Sequence, residues 1–107
     1  MEVLNRSAIT LTYKKPFIDW NNKLFPEMPY ELNILGESKT YLINQIFNNA
    51  EQVLKKHYKE IFEIELDGVC IDEAEWPQNR TYKMFHEWFS VEVSDWVTDL
   101  SKQNLIS

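Results

Sequence analysis

Between Ser7 and Lys14 the side chains alternate. Ile9, Leu11 and Tyr13 fall on one face and Ala8, Thr10, Thr12 and Lys14 on the other, the period of a half-buried strand. Pro16 suits the first turn of a helix, where its missing N–H costs nothing. Phe17, Trp20 and Leu24 then recur at spacings of three and four until Pro26, which predicts a short helix over 16–24. Pro26, Pro29 and Gly36 punctuate an irregular connection. Thr40 to Ile46, rich in β-branched and aromatic residues, reads as a second strand.

Asn48 with Glu51 three positions later has the form of a capping box. Ala50, Val53, Leu54, His57, Tyr58, Ile61 and Phe62 repeat on one helical stripe, and Gly68 offers a left-handed stop, so a long helix is predicted over 49–66. Asp72 to Trp76 forms one further turn before Pro77, and Asn79 or Thr81 caps a short helix holding Tyr82, Phe85 and Trp88. The period then changes to two. Phe89, Val91 and Val93 alternate, and Trp96, Thr98 and Leu100 alternate in the opposite phase, which predicts a strand broken by a bulge near Ser94 and Asp95. The tail after Lys102 is expected to fray. Strand, helix, strand, long helix, short helix and strand give an α+β fold: a two-layer sandwich with a small three-stranded sheet covered by one long and two short helices, in a single domain over 1–107.

Composition supports burial. Hydrophobic residues make up 44% of the chain and aromatics 14%, with four tryptophans, enough for a core without disulfide or metal staples. Cys70 is the one cysteine, so no intramolecular disulfide forms and a reducing, cytoplasmic home is expected. The N-terminus shows no signal-peptide pattern, and no apolar run approaches the roughly 20 residues that span a bilayer. With two glycines, Gly36 and Gly68, phosphate-cradling loops drop down the list.

Charge is lopsided. Residues 1–59 carry eight basic and six acidic side chains, residues 60–107 three and eleven, for a formal net charge of −6. Glu60, Glu63, Glu65, Asp67, Asp72, Glu73 and Glu75 run without a Lys or Arg, immediately before the aromatic block Trp76, Tyr82, Phe85, Trp88 and Phe89. Such a field attracts cations or a basic partner and repels phosphate backbones.

Motifs for chemistry are thin. Glu63, Glu65, Asp67 and Gly68 mimic the opening of a calcium loop, but Ala74 stands where the bidentate Glu is needed. His57 lies on the apolar stripe and His86 beside Glu87, with no His-Glu-x-x-His and no Cys/His cluster for a transition metal. Acids flank Cys70 and disfavour its thiolate. No Gly-x-Ser-x-Gly elbow occurs.

Taken in order over nearly the whole chain, Asn5-Arg6-Ser7-Ala8, Pro16-Phe17-x-Asp19-Trp20, Tyr41-Leu42-Ile43, Ile61-Phe62-x-x-Glu65-Leu66, Trp76-Pro77-x-Asn79-Arg80-Thr81 and Met84-Phe85-x-Glu87-Trp88-Phe89 resemble a family of small uncharacterised bacterial proteins. Some members of that family are labelled as similar to the outer-membrane lipoprotein VacJ. The present chain has neither a signal peptide nor a cysteine placed for lipidation. The resemblance implies one independently evolving domain and assigns no catalytic residue.

The reading that follows is a non-enzymatic cytoplasmic interaction domain without a cofactor or resident metal. Glu63, Asp67, Asp72, Glu73 and Glu75 steer association, Trp76 and Trp88 anchor it and Arg80 stands beside them. The partner is a basic protein or a second copy, not a nucleic acid or a membrane. The alternative is a small-molecule binder or small enzyme with an aromatic pocket near Trp76 to Trp88, using Glu87, His86 or Arg80. A third reading is an immunity or inhibitor protein for a basic toxin or nuclease.

Overall fold

The computed structural model describes residues 2–28, 37–46 and 49–101. The expected Asn48 cap, the Pro29 and Gly36 breaks and the frayed tail from Lys102 lie outside the described residues. In chain order the elements are β1 (Glu2–Leu4), β2 (Arg6–Tyr13), α1 (Lys15–Leu24), β3 (Ser38–Asn44), α2 (Ala50–Val69), a 3₁₀ turn (Glu73–Glu75), α3 (Tyr82–Trp88), β4 (Phe89–Ser94) and β5 (Val97–Asp99).

The fold is mixed α and β, with one correction to its sheet. The chain builds two sheets, a three-stranded one ordered β3-β2-β4 and a two-stranded one pairing β1 with β5, where the sequence pattern suggests a single sheet of three. All pairings are antiparallel. The two sheets are successive stretches of one ladder. Ala8 opposes Ser94 and Leu4 opposes Val97, so residues 5–7 face only residues 95 and 96. The extra residue sits on the N-terminal strand, opposite the Ser94 and Asp95 positions where the sequence pattern puts the bulge. The break falls where the sequence places a bulge, but β1 escapes sequence reading because three residues carry too little pattern.

One face of the three-stranded sheet carries most of its buried residues. Ser7, Ile9, Leu11 and Tyr13 of β2 are buried, Ile43 of β3 and Phe89 of β4 join them, while on the other face Thr40, Ser90 and Glu92 are exposed, Thr10 and Thr12 are partly exposed and Ala8 is buried. Thr10 and Thr40 share a hydroxyl hydrogen bond of 2.9 Å on that open face. Buried Ser7 keeps its inward place because its Oγ accepts the Ile46 N–H at 3.1 Å.

Each helix boundary has a local cause. Pro16 starts α1, which buries Phe17, Ile18 and Asn21. Trp20 stays half-buried because its Nε1–H reaches out to the Glu75 carbonyl at 3.0 Å. Asn49 caps α2 by accepting the Gln52 N–H, one residue beyond the expected Asn48. Gly68 does not stop α2. The helix runs through it to Val69, which packs against the core, and ends at an extended Cys70 with φ −147°. Thr81, one of the two residues expected there, caps α3 by accepting the Met84 N–H at 3.1 Å.

The core gathers where the three helices meet the sheet. Ile9 and Leu11 of β2, Phe17 of α1, Phe62 and Leu66 of α2 and Phe85 of α3 have no exposed surface. Phe89 sits in their midst, with ring centroids 5.3 Å from Phe17, from Phe62 and from Phe85.

Candidate functional site

Six of the seven carboxylates between residues 60 and 75 stand in water. Glu60, Glu63, Asp67, Asp72, Glu73 and Glu75 are exposed, and the one ion pair in this stretch among the described residues joins Glu63 to Arg80 at 3.1 Å. The last turn of α2 holds no basic residue. A helix C-terminus is already a negative pole that stability would complement with cations, so Asp67 there opposes the local rule. Asp72 uses one oxygen to accept the Ala74 N–H at 3.0 Å and open the 3₁₀ turn.

The segment that displays these acids is tied down. The buried Trp76 indole donates to the Cys70 carbonyl at 2.7 Å, satisfying a group the end of α2 leaves over, and the Gln78 amide bonds the Glu73 and Trp76 carbonyls. Arg80 lies over the Trp76 ring at 5.6 Å, donates to the Pro77 carbonyl at 2.8 Å and bonds Glu63. Residues 70–80 therefore hold their acids on an ordered loop.

The expected aromatic anchors lie mostly inside the fold. Trp76 is 6% exposed and its ring belongs to the core. Trp88 is half-buried among Phe17, Trp20 and Phe62 at 6.2, 6.0 and 5.6 Å. The large hydrophobics that do stand out beside the acids are Ile71, 83% exposed, and Ile64. The exposed tryptophan is Trp96, on the β1–β5 arm with Val3 and Leu100. Nor do the polar groups of the alternative pocket act together. His86 packs edge-on against Tyr82 at 4.6 Å, Glu87 is exposed, and Arg80 is engaged with Trp76 and Glu63. Among the described residues no three His, Cys, Asp or Glu side chains gather as a metal site, and no helix is long and apolar enough to cross a membrane.

A feature the sequence reading misses is Glu65. It is 6% exposed, and its two oxygens accept the hydroxyls of Tyr13, at 2.7 Å, and of Tyr41. It falls three residues after Phe62 and four after Ile61, on the apolar stripe, and that position was the available signal. Around it the free side of β3 and the flank of α2 form a groove of adjoining depressions. The one at Glu65 measures about 360 Å³, the next, past Ile64 towards Leu42, His57 and Glu60, about 230 Å³. Gly68 borders the first. A Cβ there would meet nothing within 4 Å among the described residues, so no packing shown there calls for glycine, which costs a helix up to about 1 kcal/mol relative to alanine.

The Tyr41 phenol is pushed well above its ordinary 10.0, first by burial, then by donating to Glu65 and by that carboxylate's charge. The folded protein therefore holds this proton more tightly than the unfolded chain does. The resulting stability is fully present below about pH 10 and declines as pH rises beyond it. The stability difference between wild type and Tyr41→Phe, from urea unfolding, is expected to stay constant from pH 7 to 9 and shrink above pH 10. Tyr82, raised first by burial and then by Glu51, is present in both proteins and cancels. A difference that grows above pH 10 would contradict this assignment.

Comparison with protein-family models, with curated proteins and with solved structures gives no match.

Proposed function

We propose that the protein is a non-enzymatic binding domain of the cytoplasm whose acidic end, from the last turns of α2 through the loop to Glu75, engages a basic protein partner. The observation that carries this reading is a run of exposed carboxylates at the negative pole of a helix, held on an ordered loop. Among the described residues, one arginine pairs with them. An arrangement that stability alone would avoid is explained if a partner supplies the missing cations. Ile71 and Ile64 provide apolar contact inside the charged field, a role that buried Trp76 and half-buried Trp88 are less exposed to fill.

A basic partner is favoured over a second copy. A two-fold dimer through this end would set the same patch against itself and oppose like charges. A pocket among Trp76, Tyr82, Phe85 and Trp88 is disfavoured because these rings pack against one another or the core.

The test is the combined variant Asp67→Lys, Glu73→Lys and Glu75→Lys. Its association with the basic protein that wild type retains from cell extract at low salt is expected to slow by about tenfold or more and to lose its salt dependence. Asp67→Lys places a cation at the end of α2 and favours the helix, so unfolding does not explain the loss. Equal capture by wild type and variant would remove this surface from consideration.

A further inference from the structure

The depression over Glu65 adjoins the acidic end, yet its chemistry is different: one buried carboxylate held by two phenols instead of many exposed acids. We propose that it receives the guanidinium of an arginine side chain from the basic partner, a proposal that rests on the reading above and names the contact within it.

Three features point to that occupant. The two phenols take one lone pair from each Glu65 oxygen, and a carboxylate has about four acceptor sites, so among the described residues one remains on each oxygen for a two-pronged donor. Beside Lys39 and Thr40, the lining includes flat and apolar side chains. Tyr41 offers a ring and Ile64 a branched aliphatic surface, which a weakly hydrated planar cation tolerates better than an ammonium does. Gly68 leaves the mouth open: the helix continues through this position, and open space stands where its side chain would be. The glycine gives α2 no packing and weakens it relative to alanine. Its effect is to keep access to Glu65. Lys39 is the cation at the rim, exposed, with a flexible stem that lets its ammonium stay in water. The adjoining depression past Ile64 gives the residues that flank the arginine a path along β3.

The experiment is a nuclear magnetic resonance titration of the full chain with N-acetyl-arginine methylamide, and with the citrulline analogue as the neutral isostere. Arginine is expected to shift the amides of Tyr41, Glu65, Gly68 and Val69 with saturation in the millimolar range, and citrulline to shift none of them. Gly68→Leu closes the mouth with a good helix former in open space. It is expected to keep the melting temperature of wild type or raise it, and to weaken arginine binding at least tenfold. Glu65→Gln keeps the shape and removes the charge, and is expected to weaken binding to the same degree. Equal shifts with citrulline, shifts confined to Asp67, Glu73 and Glu75, or undiminished affinity in folded Gly68→Leu would each overturn the proposal. If arginine fails at this depression while charge reversal still slows the partner, the acidic surface stands without it. If arginine binds here and charge reversal changes nothing, the contact stands and the acidic surface falls.

Discussion

Phe62→Ala is expected to lower the unfolding free energy by about 3–5 kcal/mol, the usual cost of emptying a phenylalanine site in a core that cannot collapse around it. Phe62 has no exposed surface and is the point on α2 where rings of α3 and β4 converge: Phe85 at 6.0 Å, Trp88 at 5.6 Å and Phe89 edge-on at 5.3 Å. Removing it withdraws the ring that α3 and the start of β4 pack upon, so the cavity has walls on both of these elements. Against a total of about 5–15 kcal/mol for a domain of this size, the variant falls near the edge of folding at 37 °C. Trp96→Ala removes a larger side chain from the arm, where the indole is 69% exposed, and is expected to change stability by no more than about 0.5 kcal/mol. Urea unfolding followed by circular dichroism measures both. A loss below about 1 kcal/mol at Phe62 would mean that the rings repack, and the convergence of α3 and β4 on this residue would lose its energetic meaning.

What was legible in the sequence is what short-range chemistry decides. Thr81 caps α3 because its hydroxyl reaches an amide three residues on, and that requirement is written in four residues. β2 is legible because Ile9, Leu11 and Tyr13 are buried in alternation with the less buried Thr10 and Thr12. The break after Val93 is legible because the apolar alternation changes phase there. What escaped depends on contacts far along the chain. β1 exists because Glu2 to Leu4 meet Val97 to Asp99, a pairing no local window contains. Gly68 reads as a stop by type, but Val69 has a place in the core, and packing outweighs the propensity of one residue.

The candidate site divides in the same way. Exposure of Asp67, Asp72, Glu73 and Glu75 follows from carboxylates that lack neighbouring bases in sequence, and the structure keeps them in water. The tryptophans do not follow, because an indole beside acids serves equally as an anchor or as a clamp. Trp76 is drawn inward by the Cys70 carbonyl at the end of α2, a group visible only once the helix end is placed. Glu65 is the reverse case. Its neighbours in sequence suggest a solvated acid, and its partners Tyr13 and Tyr41 come from two strands that only the folded sheet brings together.

Glu65→Leu is accordingly expected to destabilise the protein by about 2–4 kcal/mol, even though leucine matches the apolar stripe of α2 better than glutamate does. The cost arises at the phenols. Tyr13 is buried and loses the carboxylate that accepts its hydroxyl, while Tyr41 is half-buried and turns partly to water. Adding Tyr13→Phe and Tyr41→Phe to Glu65→Leu removes the stranded donors and is expected to restore the triple variant to within about 1 kcal/mol of wild type, since an apolar replacement of a whole buried polar group is often nearly neutral. Unfolding free energies for the single, paired and triple variants at pH 7 supply the cycle. If the triple variant is no more stable than Glu65→Leu, the loss stems from the shape of the site and not from unmet hydrogen bonds. Recovery of stability without recovery of arginine binding would separate what the carboxylate does for the fold from what it does for a partner. A core of leucine and phenylalanine can hold α2 on the sheet, but it offers a cation nothing to grip.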